Sequence, residues 1–338
     1  MQIKYKKINL PFKHPFTISK GTKTHQPSLL VELDYFGIKG YGEAAAIVYY
    51  NISLEKMIAD IEEKREMIEK FAFTTPDRYW HYLHHLFPKN SFLVCALDLA
   101  AWDIYGKMKK KPLYDLWNLD ISKAPPTDVT IGIDTIEKMV EKIRENNWPI
   151  YKIKLGTTED VKIIQELRKN TESHFRIDAN AAWTADEALE KINIFKDLDV
   201  QFIEQPLAKD DWDGMRYLKD NSPLPLIADE SCVNENDVNK CAEYFHGINI
   251  KLTKCGGITP ALRMIENARS QNIQIMLGCM NESSVGTAAL AQLAPMVDYA
   301  DMDGPLILSE DVAEGVKFEH GKIIYNKLPG LGLTIDVF

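Results

Sequence analysis

Two lysines separated by one residue sit inside an otherwise apolar run, WPIYKIKLG, Trp148 to Gly156. In a strand alternate side chains share a face, so Lys152 and Lys154 point together while Tyr151, Ile153 and Leu155 point away. An isolated pair like this is ordinarily two solvated amines at a strand end. Here the surroundings differ. Carboxylates end three later apolar runs, Asp178 in HFRIDAN, Glu204 in VQFIEQP and Asp229 in LPLIADES. A third lysine, Lys251, ends GINIK, with Lys254 three residues on, and VDYADMD closes on Asp301 and Asp303. Three carboxylates converging on one point repel and drift toward protonation unless a cation joins them. An all-oxygen set with few protein ligands suits one Mg2+, which keeps positions open for substrate oxygens.

The elements that must position these residues are regular. From about residue 126 short apolar strands alternate with amphipathic helices: DVTIGI, PIYKIKLG, HFRIDAN, VQFIEQP, LPLIADES, GINIKLTK, IQIMLGC and VDYADMD. Corresponding positions recur at about 25 residues, as from Glu204 to Asp229. Near-continuous apolar strands joined by helices predict a parallel sheet covered on its faces, and eight units fit a closed barrel. A doubly wound open sheet would want a glycine-rich loop after the first strand, and IGIDTIEK is not one. Active sites of such barrels lie at the carboxyl ends of the strands, where the charged residues sit. There a lysine loses hydration, and Lys152 beside Lys154 is expected to lower the pKa of Lys154 toward that of a general base. With Lys251 across the barrel, two lysines would face a carboxylate substrate from opposite sides. That arrangement suits proton transfer at the α-carbon with inversion.

Before the barrel, residues 1–125 read as strands (MQIKYKKINL, SLLVELDYFG, IKGYGEAAA) and then helices. Ala124-Pro125-Pro126 marks the boundary. The barrel is expected over 126–308, and 309–338 is expected to return to the first domain. The balance of 40 basic and 49 acidic residues disfavours nucleic acid or an anionic membrane as partner. No leader-like or membrane-spanning apolar run is present, and five cysteines without a CxxC pair read as reduced thiols, so a cytoplasmic location is expected. His81, His84 and His85 read as surface residues of a helix.

These motifs resemble the enolase superfamily, in its muconate-lactonizing-enzyme subgroup, over nearly the whole chain. The resemblance is carried by ALDLAAWDIYGKMKKKPLYDLW, YKIKLG, RIDANAAW, FIEQPL, IADES and NIKLTKCGGI. It implies a modified TIM barrel, (β/α)7β-like, under an α+β capping domain formed by the N-terminal part and the C-terminal tail. It further implies metal ligands at Asp178, Glu204 and Asp229, acid/base lysines at Lys154 and Lys251, and Lys152 in support. Within the subgroup, a DxD at the end of strand eight belongs to dipeptide epimerases, where it binds the substrate α-ammonium. Asp301 and Asp303, two residues apart, share a face as that role requires. The expected activity is epimerisation of a dipeptide, L-Ala-D/L-Glu first, with murein peptide metabolism the family-level role. N-acylamino acid racemase, o-succinylbenzoate synthase and cycloisomerase chemistry are the alternatives. The substrate side chain is expected to be read by the loop Pro15–Gln26, through Lys20 or Lys23, and by AIVYYNIS, with Tyr50 as a lid. A homo-oligomer is compatible with this reading.

Overall fold

The computed structural model describes residues 1–18 and 21–338. An antiparallel sheet opens the chain: β1 (Gln2–Ile18), β2 (Gly21–Tyr35) and β3 (Ile38–Ala45), hydrogen-bonded in that order. The continuous apolar stretch of β2 has a reason. Leu29, Val31 and Leu33 pack into the core of the capping domain, while Leu30 on the other face joins the barrel core. A sheet buried on both faces needs no polar alternation.

β1 and β2 are longer than their apolar pattern indicates. The polar segment 15–26, expected as a loop, is mostly hairpin: Phe16 pairs with Lys23, Thr17 with Thr22 and Ile18 with Gly21, beyond a register shift after Pro11. The Thr17 and Thr22 hydroxyls lie 2.9 Å apart across the strands. The hairpin rests on the barrel, where Ile133 N donates to Thr17 O at 2.9 Å. Gly132 allows this approach, since a Cβ there would stand 2.9 Å from that carbonyl oxygen. Ser19 and Lys20, the latter among the expected substrate readers, fall outside the described residues.

Three helices follow, Leu54–Glu69, Pro76–Leu86 and Ser91–Lys109. Ser53 and Asn90 cap the first and third by accepting a backbone N–H three residues on. The third helix is buried on almost every side, because it lies between the sheet and the barrel. Gly40 and Gly42 let β3 lie directly on it: a Cβ there would come within 2.1 Å of Ala100 O or 1.9 Å of Ala96 O.

The barrel strands are β4 (Val129–Ile131), β5 (Ile150–Lys154), β6 (His174–Asp178), β7 (Val200–Glu204), β8 (Leu226–Ala228), β9 (Gly247–Ile250), β10 (Gln274–Gly278) and β11 (Tyr299–Asp301). All are parallel and ordered by sequence, from β4 to β11. One backbone bridge, Thr127 with Ala300, closes the ring. Only the four-residue helix Gly304–Ile307 follows β11, so the eighth unit lacks a full helix and the barrel is of the (β/α)7β kind. The tail then runs back to the N-terminal sheet, where Lys6 Nζ donates to Val337 O at 2.9 Å and Tyr41 stacks on Phe338.

Buried carboxylates fasten the two parts together. Glu43 on β3 accepts from Ser283 N, Ser283 Oγ and Gly286 N at the start of a barrel helix. Asp98 accepts from Thr259 N at 3.0 Å and Thr259 Oγ1 at 2.7 Å, while Trp102 Nε1 donates to the same hydroxyl. Burial raises the Asp98 carboxyl to about 7, against the pull of these bonds. Asp98 therefore keeps a proton between about pH 4 and 7 that the unfolded chain has lost, and this term favours folding less as pH rises through that window. Asp98→Asn is expected to flatten the fall in urea-unfolding midpoint between pH 5 and pH 8. An unchanged pH slope in the variant would remove Asp98 as its source.

Candidate active site

Strand register brings the sequence candidates to one level. Thr130 pairs with Lys152, Lys154 with Asp178, and Asp178 with Glu204, so the charged residues of β5, β6 and β7 stand side by side. Asp229 lies just past β8 and Lys251 just past β9, which is four strands from β5 and thus across the barrel. Tyr151 shows the opposite orientation: its hydroxyl accepts from Trp148 N and donates to Ile143 O in a covering helix.

Inside, each amine meets a carboxylate. Lys154 Nζ donates to Asp178 Oδ2 at 2.5 Å, and Lys251 Nζ to Asp229 Oδ2 at 2.7 Å. Burial would raise both carboxyls, but the lysines outweigh it: Asp178 falls to about 2, through Lys154 and Lys152, and Asp229 well below the usual range, through Lys251 and Lys254. Lys251 shows the converse, since burial lowers an ammonium pKa but Asp229 holds it well above the ordinary value.

Lys152 differs from the expectation of a cation that acts on Lys154 by repulsion. Its Nζ stands 3.3 Å from Asp178, 2.7 Å from Glu204 and 2.8 Å from Asp301. Burial opposes its charge, yet Asp301, Glu204 and Asp178 raise its pKa well above normal. It bridges the two acidic groups of the site. Asp301 is lowered despite burial, because of Lys152, and offers only part of its carboxylate to a ligand. Asp303 accepts from Thr130 N at 2.6 Å, and burial with Asp301 nearby raises it to about 6.

The residues open onto a cavity of about 520 Å³ between barrel and cap. Lys152, Lys154, Lys251, Asp229, Asp301 and Asp303 line its barrel side. Lys23 and Tyr50 line the cap side, whereas Lys20 is not among the described residues.

The donor set of Asp178, Glu204 and Asp229 fits a hard divalent cation. All three carboxylates are buried, Glu204 is raised to about 7 by burial and by Asp178, and Glu204 Oε2 makes no hydrogen bond. Lys152 is near that oxygen, but the contact lacks hydrogen-bond geometry and is ionic only. An additional cation would answer both features. Another group, Cys279, Asp301 and Asp303, has donor atoms within 4.8 Å of one another. It suits Mg2+ poorly, since burial keeps Cys279 a thiol and a thiol is not a hard ligand. Asp301 and Asp303 make this side of the cavity acidic.

Lys254, three residues past Lys251, is the more enclosed of the two lysines beside Asp229. Its Nζ lies 2.6 Å from both Asp229 O and Asp229 Oδ1, and 2.8 Å from Cys232 O. Below the site, Arg176 bonds Asp128 and Ala300 O at 2.8 and 2.7 Å, inside the barrel. The arginine in RIDAN was its only sequence signal. The three histidines are exposed, His84 stacked on Trp80.

Comparison with known proteins gives two family matches, Mandelate racemase / muconate lactonizing enzyme, N-terminal domain, over residues 2–117, and Enolase C-terminal domain-like over 134–337. An L-Ala-D/L-amino acid epimerase of Maribacter sp. is 50% identical, over 99% of this chain and 100% of its own. The substrate-liganded L-Ala-D/L-Glu epimerase from Bacillus subtilis superposes with a TM-score of 0.93 at 28% identity, covering 100% and 99% of the two chains. A dipeptide epimerase from Enterococcus faecalis, complexed with Mg and L-Leu-L-Tyr, gives 0.90 at 28% identity, covering 98% and 99%.

Proposed function

The chain belongs to the mandelate racemase / muconate lactonizing enzyme family of the enolase superfamily, and from that membership we propose a Mg2+-dependent dipeptide epimerase. It is an isomerase of the racemase and epimerase kind. The observation that carries the narrower reading is one cavity lined by lysines from opposite barrel walls, Lys154 and Lys251, and by the carboxylates of Asp301 and Asp303.

In this mechanism Asp178, Glu204 and Asp229 hold the metal. When bound, Mg2+ supplies Lewis-acid stabilisation of the charge that develops on the substrate carboxylate. Lys154 and Lys251 flank the α-carbon of the second residue. One amine removes the α-proton and the other, as ammonium, returns a proton to the opposite face, inverting the centre. Lys152 holds Asp301 in line with the metal carboxylates. Asp301 and Asp303 bind the substrate's α-ammonium and so fix the register of the dipeptide. Tyr50 and Lys23 stand over the second side chain. L-Ala-L-Glu is the reference substrate: in D2O with Mg2+ it should gain deuterium at the second α-carbon and yield the D-epimer. Absence of exchange across a broad dipeptide panel would refute the reading.

The racemase or synthase alternative is tested at the amine pocket. Asp303→Asn keeps an acceptor for Thr130 N but loses a charge. A charge-assisted hydrogen bond is worth about 1.5–3 kcal/mol. KM for L-Ala-L-Glu is therefore expected to rise about 10- to 100-fold, with a smaller change in kcat. In the wild type KM should also rise as pH falls through about 6, where Asp303 gains a proton. Equal activity on the N-acetylated dipeptide would favour the N-acylamino acid racemase instead.

A further inference from the structure

The cavity has two chemically distinct walls. On the barrel side every lysine is paired: Lys154 with Asp178, Lys251 with Asp229, and Lys152 with Asp301. Among the described residues, the cap wall is largely apolar, with Lys23 and the hydroxyls of Thr22, Tyr49 and Tyr50 as its polar groups. Phe16 and Ile18 come from the hairpin, Ile47, Val48 and Tyr50 from the connection after β3, and Met280 from the segment after β10.

The details of this wall narrow what can lie against it. Val48 is 89% exposed, an isopropyl group held at the rim of the cavity. Tyr50 packs edge-on against Tyr49 and leans on Phe92, with ring centroids 4.9 and 5.6 Å away, so its ring is held in place. Among the described residues of the cap wall, Lys23 is the one charged side chain. Its ammonium donates to Gln26 Oε1 at 3.1 Å. Gln26 is itself fully buried, its Nε2 donating to Pro27 O and Ala46 O at 2.8 and 2.9 Å, so the acceptor holding Lys23 is fixed in orientation. Burial also lowers the Lys23 pKa from its ordinary value. No arginine occurs before Arg65. A carboxylate side chain placed here would meet apolar groups and a tethered lysine.

We infer that the epimerised residue of the preferred dipeptide carries an uncharged, apolar side chain, received by Phe16, Ile18, Ile47, Val48, Tyr50 and Met280. This rests on the dipeptide epimerase reading and narrows its substrate class away from L-Ala-Glu. Apolar contacts of a few methylenes and the avoided desolvation of a charge together give discrimination of about 10-fold or more.

The test is the rate of α-deuteration in D2O with Mg2+ for L-Ala-L-Leu, L-Ala-L-Phe, L-Ala-L-Glu and L-Ala-L-Lys, compared as kcat/KM. Leucine and phenylalanine are expected to exceed glutamate and lysine by at least about 10-fold. Val48→Arg, at an exposed position, places a free cation on the same wall and is expected to raise the glutamate-to-leucine ratio about 10-fold. A glutamate dipeptide equal to or better than leucine in the wild type overturns the inference while leaving the epimerase intact. An unchanged ratio in Val48→Arg removes the assignment of this wall. Exchange with none of the four brings down both readings together.

Discussion

Lys154→Ala is expected to reduce α-proton exchange from one epimer of a substrate dipeptide by about 10²–10⁴-fold, the range for loss of a general acid–base. Exchange from the other epimer should survive. Lys251→Ala should show the mirror image, and epimerisation should cease in both variants, because inversion needs a proton to leave one face and arrive on the other. The asymmetry follows from position: β5 and β9 are four strands apart in a ring of eight, so the amines reach a bound carbon from opposite sides. Deuterium uptake followed by NMR for each epimer reads the effect. Far-UV circular dichroism guards against misfolding, since each lysine also neutralises a buried carboxylate. Equal losses for both epimers in either variant would leave the two-base mechanism without support.

Lys254→Met is expected to cost about 3–5 kcal/mol of stability, the range for breaking a buried pair from one side. Its side chain is about 1% exposed, and its ammonium serves both the carboxylate and the carbonyl of Asp229, as well as Cys232 O. Methionine matches the length but leaves Asp229 short of a cation and three carbonyls, of Asp229, Cys232 and Asn249, short of a donor. Urea denaturation measures the loss. A shift below about 1 kcal/mol would show Lys254 to be dispensable to the fold.

All eight barrel strands were visible as continuous apolar runs, because parallel strands covered by helices are buried on both faces. The charged strand ends stood out for the same reason: an Asp or Lys closing such a run is costly unless something nearby answers it. What could not be read was who answers whom. Lys152 meets Asp301 only because the ring closes and brings β5 near β11, and no local pattern encodes a contact 149 residues apart. Lys254 lies past the end of its strand, and its burial comes from the helical turn Leu252–Cys255, which holds it over Asp229. The hairpin at Phe16 and Ile18 was hidden by its polar, loop-like composition: Phe16 and Ile18 line the cavity, and only Phe16 also packs on the small cluster of Leu10, Phe12 and Leu308.

The single bridge between Thr127 and Ala300 sets the joint between β4 and β11 apart from the others. Elsewhere neighbouring strands share a ladder of two or more paired positions, but this joint leans on side chains. Thr127 Oγ1 accepts from Met302 N, Arg176 reaches across to Ala300 O, and Asp303 accepts from Thr130 N. This seam lies beside Asp301 and Asp303. Asp303 belongs to both the tie and the pocket. On the proposed reading, an ammonium group that engages Asp303 would therefore also bear on this seam, through the bond from Thr130 N.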